Sequence, residues 1–141
     1  MKITYLKLVG CIYMKSALEA NSIELDLSKS KNNIILFTAK NGRGKTSLLS
    51  TLHPFAYNGS FDDRDNILMI EGEKGYKEIH IQDDEDKYVI KHFYTPNKNS
   101  HTVKSYIEKN GLELNPNGNV TSFKSLVEEE LQLEPSYLQL L

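Results

Sequence analysis

Tryptophan is absent from this sequence, cysteine occurs once and proline four times. The single Cys11 cannot close an intramolecular disulfide, which excludes the cystine-stapled secreted scaffolds and suits a reducing, cytoplasmic compartment. Charge of one sign is also missing, since 17 Lys and Arg stand against 19 Asp and Glu for a formal net charge of -2. At the level of the whole chain there is therefore no basic excess to advertise a polyanionic partner. No apolar run approaches the ~18 residues that a membrane span needs. The N-terminus, interrupted by Lys2 and Lys7, lacks the apolar core of a signal peptide. No internal repeat or low-complexity tract is visible.

What is present is a globular composition, 39% hydrophobic and 26% charged over 141 residues, the size of one ordinary domain. Lys2 to Val9 begins in alternation and then shifts phase at Leu6 and Leu8, which predicts a strand that is either bulged or covered on both faces. Ser22 to Leu27 alternates Ile23, Leu25 and Leu27 with Glu24 and Asp26, a second strand. The apolar run Ile34 to Phe37 suits a strand covered on both faces, and Lys45 to His53 suits a helix stopped by Pro54. A surface loop follows from Tyr57 to Asp65, then a short strand at Ile67 to Ile70. Tyr76 to Ile81 and Lys87 to Tyr94 read as a hairpin over the acidic turn Gln82 to Asp86. Thr102 to Lys109 turns at Asn110-Gly111 into Leu112 to Leu114, which completes an antiparallel meander. Beyond Asn115-Pro116-Asn117-Gly118, Thr121 or Ser122 caps a helix that carries Phe123, Leu126, Val127, Glu130 and Leu131 on one face, and a last helical turn begins near Pro135.

The residues that carry chemistry are Ala39-Lys40-Asn41-Gly42-Arg43-Gly44-Lys45-Thr46, placed between the expected central strand and the expected helix. Phosphate oxygens need several donors converging from one side, and consecutive backbone N–H groups closing onto a helix N-terminus supply them. Gly42 and Gly44 permit the close approach. Lys45 reaches the β- and γ-phosphates as a mobile cation, the Thr46 hydroxyl takes one position on Mg²⁺, and Ser47 is next in line for the α-phosphate. The pattern departs from G-x-x-x-x-G-K-[ST] at its first glycine, which is Ala39 here. The expected ligand is ATP with Mg²⁺.

With these residues in view, the N-terminal order of strands followed by Asn41-Gly42-Arg43-Gly44-Lys45-Thr46-Ser47-Leu48-Leu49 resembles the N-terminus of SMC-like, ABC-type ATPases. Leu52-His53-Pro54-Phe55-Ala56-Tyr57, the Glu71 to Ile81 segment and Asn115-Pro116-Asn117-Gly118-Asn119 are similar, more narrowly, to the SbcC-type subunit of bacteriophage and bacterial double-strand-break nucleases. The resemblance implies an α/β P-loop NTPase fold, an ABC-ATPase-head-like N-terminal lobe with a mixed sheet and an antiparallel meander. It divides the single lobe into a P-loop part at about 1–60, the meander at about 61–114 and a helical segment at about 120–141. It implies as partners a C-terminal ATPase lobe, a head-to-head dimer partner, a metallophosphatase-type nuclease subunit and DNA. The glutamine loop, signature motif and Walker B acids of the family have no counterpart here, so the chain is expected to bind nucleotide and hardly to hydrolyse it. Two other readings stay open: a stand-alone nucleotide-binding or interaction module, and another SMC-like or RecF-like ATPase with a different partner.

Lys15 and Lys29 could approach phosphates, but solvated lysines near turns are the better explanation of both. Arg64, between Asp63 and Asp65, suits a local ion pair, and Asp83 to Asp86 suits a solvated hairpin tip. His53, His80, His92 and His101 lack zinc-ligand spacing, and His53 could pack under the loop or equally be a helix-end histidine favoured by the dipole.

Overall fold

Strict alternation between Gly75 and Asp83 and again from Asp86 to Asn97 gives each strand one apolar face, and burying those faces dictates the architecture. A computed structural model of the chain describes residues 1–12, 14–15, 19–31, 38, 48–57 and 69–133. Its strands are β1 (Lys2–Val9), β2 (Ser22–Asp26), β3 (Gly75–Asp83), β4 (Asp86–Asn97), β5 (Ser100–Lys109) and β6 (Leu112–Glu113), followed by helix α1 (Val120–Leu131).

The six strands form one sheet in the order β2-β1-β3-β4-β5-β6, and each neighbouring pair is antiparallel. This corrects the expected fold class. A mixed α/β sheet requires parallel neighbours and crossover connections. The described residues instead form an antiparallel sheet with one short helix, which is not the α/β fold of a P-loop NTPase. The local reason lies in the turns. Two-residue connections join β3 to β4, β4 to β5 and β5 to β6, with Asp84, Lys98 and Asn110 at φ 53°, 54° and 51°. Such left-handed turns match the twist of antiparallel strands. At the last of them Asn110 accepts from the Lys87 N–H at 2.9 Å and donates to Asp86 at 2.8 Å.

Of the two alternatives for β1, the bulged one matches the structure: the register against β3 slips between Ile3 and Tyr5. It puts Leu6 and Leu8 in phase with Ile79 and Ile81 of β3 and Tyr88 and Ile90 of β4, all buried on one face. Helix α1 packs on that face through Phe123, Val127 and Leu131, a spacing of four residues that keeps them on one stripe. Its cap is Asn119 rather than Thr121 or Ser122. The extended backbone of Asn119 lets its side-chain oxygen accept from the N–H groups of Thr121 at 2.9 Å and Ser122 at 3.0 Å. At the other end Glu130 accepts from Lys109 Nζ at 2.7 Å and from the Tyr88 hydroxyl at 3.0 Å. No helix among the described residues is long and apolar enough to cross a membrane.

The strand expected at Ile34 to Phe37, most of the Tyr57 to Asp65 loop with Arg64, and the turn expected at Pro135 lie outside the described residues. Of the Ile67 to Ile70 segment, Met69 and Ile70 are described. Met69 makes an isolated antiparallel bridge to Cys11, and the Ile70 N–H donates to the Gly10 carbonyl at 2.9 Å. Gly10 cannot be replaced easily there, because its φ is 74° and a Cβ would stand 2.8 Å from the Lys74 carbonyl oxygen.

Candidate functional site

The motif residues Ala39, Lys40, Asn41, Gly42, Arg43, Gly44, Lys45, Thr46 and Ser47 lie outside the described residues. What the structure does describe is the segment that leaves the motif, from Leu48 to Tyr57. Leu48 and Leu49 are helical, and the chain then tightens. The Thr51 N–H and hydroxyl both donate to the Leu48 carbonyl, at 3.1 and 2.6 Å, and the His53 N–H donates to the Thr51 carbonyl at 2.9 Å. Pro54 lacks an N–H, so the next donor along the chain is that of Phe55, which His53 Nδ1 accepts at 3.1 Å. This fixes the His53 tautomer with its proton on Nε2.

The following three carbonyls point into the protein, and side chains from the buried face of the sheet hold each of them. His92 Nε2 donates to the Pro54 carbonyl at 2.7 Å, Lys77 Nζ to that of Phe55 at 2.9 Å, and the Tyr94 hydroxyl to that of Ala56 at 2.6 Å. Register explains the spacing. Lys77 and His92 are direct cross-strand partners on β3 and β4, and Tyr94 is the next inward residue along β4, opposite Gly75. The residue opposite Tyr94 on β3 is a glycine for a reason, since a Cβ on Gly75 would stand 2.3 Å from Met69 Sδ.

A second layer orients the clamp. His92 Nδ1 accepts from the Ser105 hydroxyl at 2.8 Å, which leaves Nε2 as the donor toward Pro54. Asn115 donates to the Ser105 carbonyl at 2.6 Å and accepts from the Ser122 hydroxyl at 2.9 Å, tying the start of α1 to the same network. The Phe123 ring meets the His92 ring edge-on, with centroids 5.0 Å apart.

Electrostatically the clamp is an apolar site filled with basic groups. Desolvation pushes the Lys77 amine down to about 7, and the His92 ring down to about 3, with the Lys77 charge adding to the latter. Burial holds His53 well below its ordinary value too, again reinforced by Lys77. At neutral pH both imidazoles are uncharged. A Tyr94→Phe variant removes one donor while keeping the ring, so the Ala56 carbonyl is left buried without its partner. The expected loss is about 1–3 kcal/mol, read as a lower urea midpoint at unchanged slope.

The other residues considered from sequence are dispersed. Lys15 is exposed beside Glu73 at 3.7 Å, His80 pairs with Glu78 at 2.7 Å on the outer face, and His101 meets the Glu73 carbonyl at 2.8 Å. Asp83 faces the N-terminal amine at 3.4 Å and Asp86 faces Lys109 at 3.6 Å, so partly exposed ion pairs flank the hairpin tip. Sequence reasoning missed Lys77, His92 and Tyr94. The signal was available for Lys77, which alternates in phase with Ile79 and Ile81, a phase that puts a lysine on the core face.

No protein-family model matches this sequence, and no curated protein matches it either. The functional reading therefore stands on the motif and on the clamp that follows it.

Proposed function

We propose that Ala39 to Ser47 bind the phosphates of a nucleoside triphosphate, ATP with Mg²⁺, and that the chain is the nucleotide-binding lobe of an SbcC-like ATPase. The observation that carries this reading is the run Asn41-Gly42-Arg43-Gly44-Lys45-Thr46 itself. Its donor set suits the ligand: glycines that admit a phosphate close to backbone N–H groups, an ammonium for the β- and γ-phosphates and a hydroxyl for the cation. The clamp supports it. A loop that must present several N–H groups to one anion works best when its flank is fixed, and the chain that leaves it is held at three successive carbonyls, those of Pro54, Phe55 and Ala56. In this reading Lys45 neutralises charge on the phosphates, Thr46 orients Mg²⁺, and ATP favours closure against a head-to-head partner. That closure governs a metallophosphatase-type nuclease at DNA ends in the cytoplasm. Hydrolysis then requires groups supplied by a C-terminal ATPase lobe.

Titration calorimetry with Mg-ATP, on the intact chain and on Lys45→Ala, tests the reading. Binding that the alanine variant lowers by roughly a hundredfold or more, with negligible turnover in both, is the expected result. Equal binding by the two proteins, or none by the intact chain, removes the motif from the site and leaves a stand-alone interaction module as the better account.

A further inference from the structure

The sheet face opposite α1 carries an aromatic cluster that the clamp does not use. Tyr76 of β3 and Phe93 of β4 are cross-strand partners with ring centroids 5.1 Å apart, and Phe93 meets Tyr106 of β5 edge-on at 5.7 Å. Phe93 is 44% exposed although it sits on an interior strand of the sheet. An open cleft of about 490 Å³ lies beside it, lined in part by Lys74, Tyr76, Phe93 and Thr95. The third ring is braced from behind, because Gly118 runs so close that a Cβ there would stand 2.9 Å from the Tyr106 hydroxyl.

Two lysines beside the cluster have no ion-pair partner among the described residues. Lys104 is the cross-strand partner of Phe93, and Lys91 is that of Tyr106. Lys74 and Lys104 are exposed, and among the described residues neither has a carboxylate within ion-pair distance. Two carboxylates on the strands of this face are engaged: Glu78 accepts from the Tyr76 hydroxyl and from His80, and Glu108 faces Lys91 at 3.4 Å. A chain with no basic excess overall thus concentrates two unpaired lysines on either side of an exposed ring.

We infer that this face binds single-stranded nucleic acid, with bases stacked on Phe93 and its neighbours and the phosphate backbone running between Lys74 and Lys104. Exposed rings on a sheet present π-faces to any base, and flanking lysines answer the phosphates, so recognition is tolerant of sequence and sensitive to salt. Duplex does not offer its base faces and is the poorer ligand. The inference does not rest on the motif at Ala39 to Ser47, and Lys45→Ala is expected to leave it intact.

Fluorescence anisotropy with a labelled oligothymidylate and with a duplex of the same length tests it, on the intact chain, Phe93→Ala, and the double variant Lys74→Gln with Lys104→Gln. All are surface changes whose folding circular dichroism can check. The expected result is single-strand binding that exceeds duplex binding, falls roughly tenfold or more in Phe93→Ala, and loses part of its salt dependence in the lysine variant. Equal affinity for duplex, an unchanged affinity in folded Phe93→Ala, or no binding at low salt overturns it.

Discussion

Lys77→Met is expected to flatten the rise of stability with pH that the intact protein shows between about pH 7 and pH 10. The lysine amine is pushed from its ordinary 10.5 down to about 7 by burial. Within that window the unfolded chain holds a proton that the folded chain does not, so the unfolded state binds more protons and stability increases as pH rises. Each pH unit corresponds to about 1.4 kcal/mol, and the whole window to something on the order of 3–4 kcal/mol. Methionine keeps the stem but not the amine, and it leaves the Phe55 carbonyl without its donor, a cost of about 1–3 kcal/mol at every pH. The two stability curves should therefore cross, with the variant weaker at high pH and equal or stronger near pH 6.5. Urea unfolding at several pH values measures this, and parallel curves would show that the amine does not carry the effect. His92 acts in the same direction at lower pH, since its ring is held at about 3 against an ordinary 6.5. The upper bound is set by tyrosines such as Tyr94, whose raised value turns the slope downward above pH 10.

Phe123→Ala should lower stability by about 3–5 kcal/mol, the usual cost of deleting a buried aromatic ring whose surroundings cannot collapse. The ring is 1% exposed, first in the Phe123, Val127 and Leu131 stripe by which α1 docks, and in edge contact with His92. Its neighbours are strands hydrogen-bonded on both sides, which limits relaxation into the cavity. Thermal unfolding should show a midpoint lower by roughly 10 °C. A second readout separates this ring from a generic core residue. Opening the site rehydrates His92, so proton NMR should find its titration shifted upward from about 3 toward the ordinary histidine range. A stability loss under 1 kcal/mol with unchanged His92 titration would mean that the helix does not cover the clamp.

Much of this sheet was legible from local signals. Asn110-Gly111 and the acidic tip at Asp84 announced their turns because those backbones need left-handed φ, and alternation located the strands between them. What was not legible was partnership. Nothing near Val9 says that its neighbour is Tyr76, so the order β2-β1-β3, and with it the extension of the antiparallel meander through β1, had no local trace. The phosphate motif supplied a strong expectation for its own residues, and extending that expectation to the whole chain produced the α/β assignment the sheet corrects. The cap at Asn119 was hidden inside a run of turn residues, where Asn and Gly carry several meanings at once. The clamp was hidden for a different reason. A donor aimed at a backbone carbonyl can be a lysine, a histidine or a tyrosine, and the acceptor is present in every residue.

The placement of β1 between β2 and β3 also sets an order of assembly. Strands β3 to β6 are linked by turns of two residues and can zip together early, since each closure is short. β1 reaches β3 only by closing a long stretch of chain, a later event on entropic grounds. Until it arrives, β3 is an open edge with the apolar Ile79 and Ile81 beside it, the kind of surface that pairs with another copy. In that sense β1 is the strand that ends the protein's vulnerable interval, and the speed of its docking decides how much newly made chain escapes aggregation.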